Sequence, residues 1–571
     1  MDKKSILGFI LILAVLFLWP YWSKLINPPP PEQPGQDTTI VADTIVIKDT
    51  TMPVNTPVQP ATMGEAPAVQ TTPVMQAEPT EPEQVVNIDT EDMIVTLSSY
   101  GGIVKSIKLK HYFIENGEDG DSLVELLTPT ELNPWNTPGA LTLGIEDKTL
   151  PINNAPFKVE GKSSSLLKGD EPRTISFAFT DSATGASLRK DYTFFPEKYQ
   201  MKLRLTIDNP RAFGFDEKVT VAWLVPNWPS EKELKLDLGQ FAGFYYMGGE
   251  VVQNKDLKDG RLDLVATGSS QWVANRSKYF ANAIISEGDM GSEVMVAGRQ
   301  ASLIDYENKS HDWKQFGVGL TFDIKSNTFT NDFLIYTGPL DYYRLDKIGY
   351  NLGQLVDMGW KVFRPFAIGI LWVFIQLHKI LFNYGVVIIV FSLLMKVVFW
   401  PLTRKSTTSM MKMKELQPKL QEIKEKFSKD PQKLNAETMK VYKEYGVNPF
   451  GSCLPLLIQL PVFWALFSVL RNSIELRAAE FVFWITDLSQ KDSTWVLPVL
   501  MGLAMFFQQK MTITDPKQKM MAYIMPVVFV FIFGSMPSGL VLYWTVFSVV
   551  GVVEQMIIKR GMEEEKRAQT S

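Results

Sequence analysis

The alternation of apolar and polar positions divides the 571-residue chain into unlike regions. An unbroken apolar run from Ile6 to Trp22 follows Lys3 and Lys4. No small-x-small cleavage site comes after it, only Ser23-Lys24-Leu25-Ile26-Asn27 and four prolines. Residues 1–27 therefore read as an uncleaved transmembrane anchor, its start held in the cytoplasm by the two lysines. Residues 28–84, rich in Pro, Thr, Gln, Val and acids, lack a periodic apolar face and read as a disordered extracytoplasmic linker. From 85 to 345 the period becomes two. Runs such as MIVTLSSYGGIVKSIKL, RTISFAFTD and MKLRLTIDN recur between Gly, Asn, Asp and Pro breaks, which predicts a large antiparallel β domain of sandwich type.

Beyond Tyr342 the chain turns helical and apolar. The stretch from Pro365 to Leu402 would run ~57 Å as one helix, far more than a ~30 Å bilayer core needs. Gln376, His378, Lys379, Asn383 and Gly385 divide it. Residues 346–384 then form an interfacial amphipathic segment, and a crossing follows at 385–402. Further crossings fit at 449–470, 495–511, 521–536 and 538–558, the last two split by SMPSG. Residues 561–571 are left as a short tail.

Charge orients these spans. Residues 403–447 carry eleven Lys/Arg against six Asp/Glu, whereas the loop 471–494 holds Glu475, Glu480, Asp487 and Asp492 against Arg471 at its edge, Arg477 and Lys491. The basic loop belongs in the cytoplasm and the other outside, so six crossings leave both termini in the cytoplasm. The basic loop itself reads as two helical runs broken at Asp430-Pro431.

Lys396 stands inside the crossing 385–402. Ser392, Lys396 and Thr403 share one helical face. Two readings are open: the side chain snorkels to the interface, or it lines a water-filled cavity. Ser452 and Gln459 stack on the next crossing, and Thr545 and Ser548 share a face on the last. Helix–helix hydrogen bonding accounts for such residues singly, while together around one lysine they favour a hydrated groove. Met410, Met411 and Met413, interleaved with Lys412 and Lys414, suit contact with varied apolar segments, with packing filler the open and simpler alternative for most of the chain's methionines.

The chemistry expected elsewhere is sparse. One cysteine, Cys453, precludes an internal disulfide framework, and three widely spaced histidines argue against a metal centre. The GKS at 161–163 lacks the glycine that a phosphate loop requires, and no hydrolase or metalloprotease motif occurs. No catalytic site and no cofactor are expected.

The stretches WPLTRKSTTSMMKMKELQPKLQEIKEKF, VNPFGSCLPLLIQLPVFWAL, FWITDLSQKD, TDPKQKMM with MPVVF, and MPSGLVLYW together resemble the YidC membrane protein insertase family, of the Gram-negative type with a large periplasmic domain. The resemblance runs end to end. It implies a multi-domain inner-membrane protein: an N-terminal anchor, a periplasmic all-β supersandwich, and five core helices with a cytoplasmic helical hairpin. It implies a groove open to cytoplasm and lipid, in which Lys396 stands where the family usually has arginine, Gln459 matches a groove position, and Tyr543-Trp544 match an aromatic pair. The hairpin bearing Met410 to Lys414 would recruit substrate. The implied partners are nascent membrane proteins, Sec translocon components, membrane lipids and the ribosome, the last without a long basic tail to bind it; no nucleic acid is bound directly. The implied activity is insertion and chaperoning of membrane proteins, alone or with the Sec translocon. A solute or lipid transporter using the same cavity, and an anchored glycan sensor built on the β domain, are the competing classes.

Overall fold

The computed structural model describes residues 82–114, 122–145, 148–161, 165–166, 171–196, 198–304, 308–428, 430–446, 454–512 and 516–570. The expected anchor and nearly all of the expected linker lie outside them, as do Ser452 and Cys453. The described residues belong to one compact unit, Val74–Ser571.

Period-two alternation builds the β domain. In Ser187–Phe194, Leu188, Lys190, Tyr192 and Phe194 point inward and the residues between them outward. A one-residue slip would expose that whole set, so the inward row fixes the register Leu188↔Phe179 and Tyr192↔Ile175 with the neighbouring strand. Twelve strands, from Lys148–Thr149 at one edge to Lys158–Glu160 at the other, form the path of a fourteen-stranded sheet. The hairpin Ala242–Met247/Glu250–Asn254 completes it by branching from the long strand Arg261–Arg276. A second, five-stranded sheet is antiparallel except where Val85–Asp89 meets Ser165–Leu166 in parallel. The turn of the small sheet is anchored to the large one by polar side chains. Lys190 Nζ donates to the carbonyls of Gly101 (2.8 Å) and Leu141 (2.9 Å), and Tyr192 Oη to that of Gly102 (2.7 Å).

Ten helices among the described residues carry the labels α1 (Leu234–Leu238), α2 (Tyr342–Ile348), α3 (Arg364–Leu381), α4 (Tyr384–Glu415), α5 (Gln417–Lys426), α6 (Pro431–Glu444), α7 (Leu454–Asn472), α8 (Val496–Thr512), α9 (Pro516–Phe533) and α10 (Ser538–Thr570). α3 ends at Leu381 and α4 begins at Tyr384. Gln376, His378 and Lys379 stay within α3; Phe382, at φ +53°, ends it, and Asn383 caps α4 by accepting from Val386 N–H. A left-handed residue followed by an Asn cap is a stronger stop than side-chain polarity.

Two helices outrun their expected spans. α4 continues thirteen residues past 402, so Met410 to Lys414 ride on its last turns, and the separate hairpin is only α5 and α6. α10 runs through the expected tail to Thr570. By length and composition, Arg364–Leu381, Tyr384–Glu415 and Ser538–Glu564 could each cross a membrane; Val496–Met511 and Tyr523–Phe533 are shorter apolar segments. Arg364–Leu381, expected to lie at the interface, thus has the length and hydropathy of a span.

α10 packs on α4 and α8, α8 on α9, and α3 on α4 and α7. Gly502 sets the α8–α9 approach, because a Cβ there would lie 2.3 Å from Val530 Cγ2. Outside the bundle runs an apolar belt with Leu393, Val397 and Val398 on α4, Leu503 and Phe507 on α8, Val527 and Phe531 on α9, and Val553 and Ile557 on α10. Exposed apolar area on this scale is unstable in water and suited to hydrocarbon.

The loop between α7 and α8 joins the bundle to the β domain. Arg477 pairs with Glu231 at 2.8 Å, both side chains 5% exposed, and also donates to the carbonyl of Phe113. Lys491 pairs with Glu233 at 2.9 Å, and Tyr279 Oη donates to the Arg471 carbonyl. Beneath them Asp237 accepts from the backbone N–H groups of Ser230 and Lys278, and burial pushes its carboxyl up to about 7. On the bundle side, Ser538 Oγ donates to the Asp487 carbonyl, and Ser538 N–H to that of Gln490.

Candidate functional site

Lys396 lies on the face of α4 that meets α10, and its side chain is sealed rather than open. Its Nζ sits 3.2 Å from Glu554 Oε2 and 3.9 Å from the centroid of the Phe547 ring, with Lys396 at 5% and Glu554 at 4% exposure. Phe547, Gly551 and Glu554 follow one another at i, i+4 and i+7, one face of α10. Gly551 makes the approach possible: a Cβ there would fall 3.1 Å from Lys396 Nζ and 2.5 Å from Gln508 Nε2. The snorkelling reading is thereby answered by geometry. The ammonium turns inward to a carboxylate and an aromatic face, each of which lowers the cost of charge in an apolar surrounding.

Glu554 is the residue that sequence reasoning passed over. Its signal was present in VVGVVEQMII, an acid inside an apolar helix. Only the fold shows that this acid answers the lysine 158 residues earlier.

The hydroxyls expected on the groove face behave differently. Ser392 donates to Ile388 O (2.7 Å), Thr403 to Phe399 O (2.5 Å) and Thr545 to Val541 O (2.7 Å), each closing onto its own helix. Such back-bonding satisfies the donor within hydrocarbon and leaves only acceptor capacity facing inward. Ser548 is buried on α10. Gln459 of α7 and Tyr543 of α10 are both buried and near each other, yet neither Gln459 Nε2 nor Tyr543 Oη has sound hydrogen-bond geometry. Tyr543 packs on Phe391, Trp544 and Phe547, and Trp544 on Phe463 and Phe533, which ties α4, α7, α9 and α10 together.

Further buried polar atoms without partners lie on the same helices: Trp544 Nε1, Glu554 Oε1, Gln555 Oε1 and, further along α4, Ser409 Oγ. A buried polar atom left unpaired costs about 1–3 kcal/mol. Met410, Met411, Lys412, Met413 and Lys414 form a separate patch at the end of α4, beyond Pro401.

A β domain fastened to an apolar helical bundle with a buried ion pair defines the class as a membrane-embedded core carrying a large folded domain. Two family models divide the chain, the YidC periplasmic domain over residues 85–373 and the 60Kd inner membrane protein over 376–566. A membrane protein insertase YidC of Chlorobaculum parvum is 31% identical over all of this chain and 96% of its own length. One of Syntrophus aciditrophicus is 32% identical over 98% of this chain and all of its own. The chain belongs to the YidC membrane protein insertase family. A crystal structure titled as an active YidC insertase with its first transmembrane domain resolved also aligns, at 20% identity, 83% coverage of this chain, 92% of that one, and a TM-score of 0.35. The named relatives are insertases rather than enzymes, and among the described residues no cluster of His, Cys, Asp or Glu is arranged to hold a metal.

Proposed function

We propose that this chain inserts membrane proteins into the inner membrane and assists their folding. Full-length kinship with named insertases supports the activity, and the observation that gives it a mechanism is the charge pair enclosed between α4 and α10. A polar segment crossing a bilayer must lose its water. A buried ammonium, unpaired polar groups on the neighbouring helices and an apolar outer belt would offer that segment partners partway. Its apolar neighbour then gains by moving sideways into lipid, so the step needs no nucleotide.

In this reading the β domain and the loop 471–494 face the periplasm. The basic segment α5–α6 and both termini face the cytoplasm, with six crossings in all. Residues 385–560 form the insertase core, and Met410 to Lys414 greet substrate before it reaches Lys396. The Sec translocon, the ribosome and lipid are companions assigned on family resemblance.

The test is insertion of a single-span reporter with a short acidic tail into liposomes holding only the purified protein. Lys396→Arg should retain at least half the yield. Lys396→Glu, which sets two carboxylates face to face, and the neutral pair Lys396→Gln with Glu554→Gln should lose most of it. Normal insertion by the neutral pair would refute the role given to the lysine. Adding or omitting Sec components in the same assay decides whether they are needed.

A further inference from the structure

We propose that Glu554 is an internal substitute for the acidic group of an incoming segment. In the resting protein it occupies Lys396, and it thereby sets how strongly acidic segments are preferred. The inference rests on the insertase reading and goes beyond it, because the pocket is not a free positive charge.

Three observations carry it. Lys396 and Glu554 are almost fully buried and in contact at 3.2 Å, so at rest their formal charges sum to zero. Only one carboxylate oxygen of Glu554 is engaged; Oε1 is buried without a partner. A pair built for stability alone would have its remaining lone pairs satisfied, since a half-satisfied buried pair is a poor way to hold helices together. Finally, Gly551 lets α10 come close enough for the contact to form, since a Cβ at 551 would crowd both Lys396 Nζ and Gln508 Nε2.

An arriving carboxylate therefore does not meet bare charge. It competes with Glu554 for the ammonium, and capture is an exchange of one counter-ion for another. The competition penalises weakly acidic segments and returns the lysine to its own partner once the guest departs.

The experiment uses the full chain in liposomes and three single-span reporters that differ only in tail charge: acidic, neutral and basic. The measured quantity is the ratio of initial insertion rates, which cancels any loss of folded protein. Glu554→Gln removes the competitor. The acidic-to-neutral ratio should rise about tenfold, equivalent to ~1.4 kcal/mol. Because that variant leaves a buried lysine unpaired, the exchanged pair Lys396→Glu with Glu554→Lys is measured beside it. It keeps one ion pair and moves the ammonium to α10, and the acidic-to-neutral ratio should fall below that of the parent. If both variants keep the parent's ratios, Glu554 is a structural clamp and the proposal is overturned. If the parent protein inserts none of the reporters, the insertase reading itself fails, an outcome distinct from the first.

Discussion

Lys190 is a second buried lysine, and its chemistry is the opposite of that at Lys396. It has two carbonyl acceptors, and burial pushes its ammonium down to about 7. An unfolded lysine titrates near 10.4, so from about pH 7 to about 10 the unfolded chain binds more protons than the folded one, and stability rises with pH. The unfolding midpoint of the full chain should climb between pH 7 and pH 9. Lys190→Met should flatten that climb and, by stranding the Gly101 and Leu141 carbonyls, cost on the order of 1–3 kcal/mol. An unchanged slope would contradict the assignment. At this scale Lys396 was legible in the sequence, since a charge within an apolar run announces itself. Its partner was not, because the meeting of α4 with α10 is a property of the packed bundle and leaves no trace along either helix alone. Periodicity places Ser392, Thr403 and Thr545 each on a helix face but cannot say that the hydroxyl turns back to the carbonyl four residues earlier.

Among elements, the β strands, the Asp430-Pro431 break and the apolar cores of α7 to α9 were readable from period and punctuation. The lengths of α4 and α10 were not. Hydropathy stops at the edge of the hydrocarbon, whereas helix propensity in KSTTSMMKMKE and KRGMEEEKRAQ carries on. Met410, Met411 and Met413 consequently sit on the same helix as Lys396. The α8–α9 crossing makes its own prediction. Gly502→Leu must push against Val530 and should lower the thermal midpoint in detergent, with a cost of about 1–3 kcal/mol for overpacking. Gly561→Leu on α10, where an added Cβ meets nothing within 4 Å, serves as the control and should be neutral.

For the whole molecule, the loop 471–494 determines how the β domain is held. Arg477→Met would leave the buried Glu231 with only the Ser230 hydroxyl and no ion-pair partner, a loss of about 3–5 kcal/mol at the junction. Amide hydrogen exchange across 473–492 should accelerate while the strands Phe280–Ser286 and Ser310–Asp323 keep their protection; unchanged exchange in the loop would show that the junction rests on other contacts. The loop's charge is legible in its residues, but its use as a fastening is not, because Glu231 and Arg477 lie 246 positions apart. That fastening reaches further than the surface it joins. Glu231 and Glu233 grip the loop, the loop grips Ser538, and Ser538 opens the helix whose fifth turn bears Glu554. A load taken up by the outer domain has a short mechanical route to the ion pair, so a protein bound there could ease the lysine from its carboxylate without ever touching the bilayer.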